Sequence, residues 1–128
     1  MIVTNGPIRD YRDVVAWQQA MELAVECDAI CDALPRHSWR LAQQLRRAAN
    51  SVHSNIAEGN GRPTTPDYLR HLGISRASLN EVRNHLHFIA RKHPDAHGLA
   101  AAEERVVDVA RPLSGLIKSL KRKMGQDK

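Results

Sequence analysis

The chain has 128 residues, 42% of them hydrophobic but only 4% aromatic, and a formal net charge of +5. That length gives one domain with room for a real core, and so few rings exclude an aromatic-rich sandwich: the core must be Leu, Val, Ile and Ala, which suits packed helices. No run of about 18 apolar residues occurs, which excludes a membrane-spanning helix, and "MIVTNGPIRD" lacks the basic-then-apolar plan of a secretory leader, so the expected location is the cytoplasm.

The first helix is expected over about residues 10–34. Val14, Trp17, Met21, Ala24, Cys27, Cys31 and Leu34 recur at steps of three and four, the spacing of one helical face. Pro35 ends it, because the residue before a proline is driven out of helical geometry. Cys27 and Cys31 lie four apart on that face and read as small apolar core residues. No further ligands stand at matching positions for a metal, and a framework disulfide does not suit a reducing compartment. Trp17 is on the stripe and reads as core.

The second helix is expected over about 38–58, with Ser38 as N-cap and Leu41, Leu45, Ala48, Val52 and Ile56 as its stripe. Gly59 suits the left-handed position that commonly ends a helix, and "GNGRPTTP" follows as a loop. The third covers about 65–92: Thr65 caps it, Pro66 fits the first helical position and Asp67 suits the positive end of the dipole. Leu69, Leu72, Leu79, Val82, Leu86 and Ile89 make its stripe, with Arg76 as the one exception. "HPDAHG" then breaks the chain before a fourth helix over 98–123, striped by Ala102, Val106, Val109, Leu113, Leu116 (or Ile117) and Leu120. Pro112 lies inside it. An interior proline removes a backbone hydrogen bond and costs ~3 kcal/mol or a kink, so a bend is expected near Val109–Pro112, not a fifth element. No segment alternates with period two. The pattern predicts an all-α, antiparallel up-down four-helix bundle as a single domain over residues 1–128.

Charge is segregated along the chain. Residues 1–32 come to −4, residues 33–66 and 68–93 to +4 each, residues 94–117 to −2 and the tail 118–128 to +4. Such segregation serves binding to a polyanion, or contact between an acidic face of one copy and a basic face of another.

The stretch "SVHSNIAEGNGRP", residues 51–63, is unusual for a helix end. Asn55 sits on or beside the apolar stripe, where an unmet amide costs ~1–3 kcal/mol. Glu58 stands at the C-terminal end, where the dipole disfavours a carboxylate. One reading joins Asn55 and Glu58 to Arg62 and Arg76, with Arg47 a further candidate cation, in a polar network that fixes the turn between helices two and three. The other leaves Glu58 facing water.

The residues "VVAWQQAMELA", "ALP" and "LAQQLRRAANSVHSNIAEGNGRPTTPDYLRHLGISRASLNEVRNHL", spanning about 11–92, resemble a bacterial family. It was first noticed as open reading frames within intervening sequences of 23S ribosomal RNA genes (S23-like), and it includes the accessory variability determinant of diversity-generating retroelements. Gln44 to Ala48, Ser54-Asn55-Ile56-Ala57-Glu58-Gly59 and Arg62 carry the resemblance most specifically. Two departures are visible: "RHSWR" stands where the family usually has a Glu after "LP", and Ser75-Arg76-Ala77-Ser78 stands where it usually has Ala-Arg-Gly-Ser. The resemblance implies an antiparallel bundle that assembles as a cyclic homopentamer. It implies no enzymatic activity, and, through the retroelement members, association with nucleic acid and a reverse transcriptase.

Catalytic and metal readings find little in the residues. His85 and His87 point about 200° apart on a helix, Pro94 breaks the spacing between His93 and His97, and no H-E-x-x-H occurs. Ser51-Val52-His53-Ser54 sets hydroxyls beside an imidazole in sequence, but adjacent helical residues do not face each other. "GNGRP" follows a helix rather than a strand, so it is not a phosphate loop. No enzyme and no cofactor are expected. Nucleic acid is the live option: Arg36, Arg40, Arg46, Arg47, Arg62, Arg70, Arg83, Lys121, Arg122 and Lys123 are candidates to grip a phosphate backbone, and a ring of subunits would multiply weak contacts. No aromatic platform interleaves with these arginines, so sequence-specific reading of a single strand is not supported. The competing reading pairs the arginines with acids on helices one and four, leaving an assembly scaffold for a protein partner. Trp39, among Arg36, His37 and Arg40, is the expected exposed contact.

Overall fold

The computed structural model describes residues 8–126, so most of the N-terminal "MIVTNGPIRD" stretch lies outside the described residues. Four helices make up the fold: α1 (Val15–Ala33), α2 (Trp39–Asn60), α3 (Thr65–Lys92) and α4 (Leu99–Gln126), with 3₁₀ turns at Tyr11–Asp13 and Arg36–Ser38. No strand occurs among the described residues.

The helix ends correct several expectations. α1 begins at Val15 rather than near residue 10, because Asp10 and Asp13 close a separate turn. The Asp10 carboxylate accepts from the Arg12 backbone N–H at 2.8 Å, and the Asp13 carboxylate accepts from the N–H groups of Arg9 at 2.8 Å and Asp10 at 3.4 Å. The Arg12 guanidinium on Asp10 holds that carboxyl down at about 2. Ser38 does not cap α2: no side-chain cap bond forms there, and its hydroxyl instead hydrogen-bonds His93 Nε2 at 3.1 Å. Thr64, not Thr65, caps α3, its hydroxyl accepting from the Asp67 N–H at 3.3 Å, with Pro66 in the first turn. Gly59 is not a left-handed terminator, since α2 continues through it to Asn60. Among the described glycines Gly98, with φ +89°, takes the left-handed conformation, ahead of α4. α4 runs through the buried Pro112 as one element.

α1 packs on α2, α2 on α3, α3 on α4 and α4 back on α1, while the diagonal pairs among the described residues do not meet. Ser38 meets His93, Ser51 meets Ser78 and Asn55 meets His71, so α2 and α3 run in opposite directions. The core is aliphatic, with Leu23, Leu45, Ile56, Leu72, Leu86, Ile89 and Leu113 fully buried. Each such side chain removes apolar area worth about 1.5–3 kcal/mol from water. Cys27 and Cys31 are free and buried in that core. Burial pushes the Cys27 thiol up to about 12, and Cys31 Sγ donates to the Ala42 carbonyl at 3.3 Å, which accounts for both as packing groups. Trp17 is half-buried against the core, edge-on to Tyr11 at 5.0 Å.

Candidate functional site

The seam between α2 and α3 is polar as well as close. Asn55 donates through Nδ2 to the Ser51 carbonyl at 2.9 Å and the Ser51 hydroxyl at 3.1 Å. Its Oδ1 lies 3.1 Å from His71 Nδ1, and Arg62 Nε donates to His71 Nε2 at 3.3 Å. Because a guanidinium can only donate, Nε2 is the acceptor and Nδ1 carries the proton, assigned from its partners. A single directed chain therefore runs from Arg62 through His71 and Asn55 to Ser51. Ser78 Oγ adds a bond to the Ser51 hydroxyl and Ser75 Oγ one to the Val52 carbonyl, both at 2.8 Å.

Two of the four expected members, Asn55 and Arg62, thus belong to a network. Glu58 stands at its edge: its side chain is 63% exposed and its carboxylate is 3.9 Å from His71 Nδ1. Arg76 is exposed and takes no part, and Arg47 is also exposed. The hub is His71, 4% exposed, which sequence reasoning missed. A signal was present: His71, Ser75 and Ser78 are spaced four and three apart, so they share one helical face, as do Ser51 and Asn55 opposite them. Gly59 lets the helices approach here. A Cβ at that position would lie 2.8 Å from His71 Cβ and 2.9 Å from Tyr68 Cδ1.

The arginines divide into paired and free groups. Arg46, a candidate phosphate ligand in the sequence reading, is paired within the bundle: α1 carries Asp28 and Asp32 on the facing flank, and they hold it at 2.6 and 2.5 Å. Arg105 of α4 likewise bonds Glu26 at 2.6 Å and Gln19 at 2.8 Å. Arg70 is exposed, 3.8 Å from Asp67 and 3.3 Å from His71 Nε2. Arg40 lies over the Trp39 ring, 5.2 Å from its centroid. Arg36, Arg47, Arg76, Arg83, Lys121, Arg122 and Lys123 are exposed, and no described carboxylate stands within ion-pair distance of them. On α3, Arg76, Asn80, Arg83 and His87 fall at steps of four, three and four, one outward stripe. Its edge against α4 is mixed in charge, because Glu103 and Glu104 share a groove with Arg83 and His87.

Among the described residues no group of three or more His, Cys, Asp or Glu side chains could hold a metal ion, and no helix is long and apolar enough to cross a membrane. Ser38 and His93 form a hydroxyl–imidazole pair, but the hydroxyl belongs to a residue 4% exposed. His85 and His87 approach different carboxylates, Glu81 and Glu103.

These features define an all-α four-helix bundle, tied across one seam by serine, asparagine and histidine and carrying unpaired cations on its outer faces. The chain belongs to the 23S rRNA-intervening sequence protein family, whose pattern matches residues 12–111. Its fold is similar to the crystal structure of a protein of unknown function from the S23 ribosomal protein family of Bacteroides thetaiotaomicron. The two are 20% identical over 81% of this chain and 99% of that one, with a TM-score of 0.75. No curated protein matches the chain.

Proposed function

We propose that this protein is a non-enzymatic bundle that acts as a homo-oligomer, a ring of five, and holds RNA or DNA by the phosphate backbone, as an accessory factor to a nucleic-acid enzyme such as a reverse transcriptase. The observation that carries this reading is the division of the arginines. Arg46 and Arg105 are neutralised by α1 acids, whereas Arg36, Arg47, Arg76, Arg83 and the Lys121–Lys123 run remain exposed with no partner among the described carboxylates. Exposed cations that repel one another persist at least cost where a polyanion meets them. Arg76, exposed on α3, is counted among these cations, and Arg46, already paired, is not.

The test is sizing followed by retention of generic RNA and DNA at low and moderate salt. The expected result is an oligomer that retains both nucleic acids with little regard to sequence and releases them as salt rises, because each neutralised phosphate frees counterions. An oligomer that retains neither would leave a scaffold for a protein partner. Retention that persists at high salt would overturn the backbone mechanism.

A further inference from the structure

We infer that the end of the bundle where α2 begins and α3 finishes binds an unpaired nucleotide of a single strand, with Trp39 as the stacking platform and Arg36, Arg40 and Lys92 against the neighbouring phosphates. This rests on the nucleic-acid reading above and assigns it a place and a strand form.

Trp39 is 58% exposed, which is unusual for the largest apolar side chain, and it opens α2 directly after the Arg36–Ser38 turn. Arg36, His37 and Arg40 around it are exposed as well. The fold brings Lys92 to the same end. The Ser38–His93 hydrogen bond of 3.1 Å and the His37 and His93 rings, 6.4 Å apart, fasten the α3 terminus to the turn. Lys92 therefore faces Pro35 and Leu34 across a shallow groove. Asp95 lines the same groove, while Asp32 nearby is occupied by Arg46. An exposed indole with a guanidinium over it, and with exposed Arg36 and His37 close by in the chain, is thus present where the sequence expected an exposed contact.

The chemistry selects a single strand. Every base has a π-face, so stacking on an indole is tolerant of sequence. A base inside a duplex already has both faces covered by its neighbours. The guanidinium of Arg40 lies over the ring at 5.2 Å, an arrangement in which cation–π attraction holds the ring and a phosphate-gripping group together.

The test uses the full chain with Trp17→Phe, so that Trp39 is the remaining indole, titrated with a short oligo-dT strand and a blunt duplex of equal length. The strand is expected to quench Trp39 emission and the duplex to leave it. Trp39→Ala should weaken strand binding by about 5- to 150-fold without changing the slope of log affinity against log salt, since stacking releases no counterions. Trp39→Phe should restore most of the loss. Strand binding that is equally tight in Trp39→Ala, with no quenching in the parent, would overturn the assignment and leave Trp39 for a protein contact, with backbone binding intact. Failure to retain either nucleic acid at low salt would remove both readings together.

Discussion

Replacing Gly59 with alanine is expected to lower the unfolding free energy by about 1–3 kcal/mol, the reverse of the usual effect inside a helix, where alanine gains up to about 1 kcal/mol. The new Cβ would sit 2.8 Å from His71 Cβ, 2.9 Å from Tyr68 Cδ1 and 3.3 Å from the Tyr68 carbonyl. His71 Cβ cannot swing aside, because it is fixed to the α3 backbone and its ring is held by Asn55 and Arg62. α3 must retreat as a unit, which lengthens the Asn55–His71 bond. Urea unfolding would register a lower midpoint, and heating a Tm drop of roughly 4 °C per kcal/mol. Gly73→Ala is the control: that glycine is exposed on α3 with nothing within 4 Å of a Cβ, so the substitution should stabilise. Equal gains at both glycines would contradict a close approach at Gly59.

His71→Ala should cost about 2–3 kcal/mol, from the lost imidazole packing and from the Asn55 carbonyl and Arg62 guanidinium left without their partner. Part of that cost is shared with Asn55, whose carbonyl is worth most while it accepts the His71 N–H. Combining His71→Ala with Asn55→Ala should therefore give a loss smaller than the sum of the two by about 1 kcal/mol, the size expected of residues in one hydrogen-bonded network. Strict additivity in denaturant unfolding would mean that the two side chains act independently, and the network reading of this seam would fall.

How much of this was legible depends on the range of the interaction. The apolar stripes through Leu45, Val52 and Ile56, or Leu79, Val82 and Leu86, follow from a local period, and all six residues are buried. Asn55 announced a network because an amide beside a stripe demands partners. Its main partner was hidden, because histidine is as common on a surface as inside. Gly59 was misread as a left-handed stop because the sequence cannot show Tyr68 and His71 pressed against it. Ser38 was misread as a cap because its hydroxyl is engaged by His93, 55 positions away. The basic and acidic segments were plain in the sequence, but the division of arginines was not. Arg46 and Arg47 are neighbours in the chain, yet a 100° turn of the helix points one at Asp28 and Asp32 and leaves the other in solvent.

That division supplies the most direct measurement of the proposed role: the slope of log affinity against log salt for a single-stranded RNA, in the parent, Arg83→Gln and Arg46→Gln proteins. The unpaired Arg83 should take one phosphate contact with it, reducing the slope by about 1, while loss of the already neutralised Arg46 should leave the slope unchanged. The same slope in all three proteins, or an affinity indifferent to salt, would contradict a backbone grip by the free cations of α2, α3 and the α4 tail.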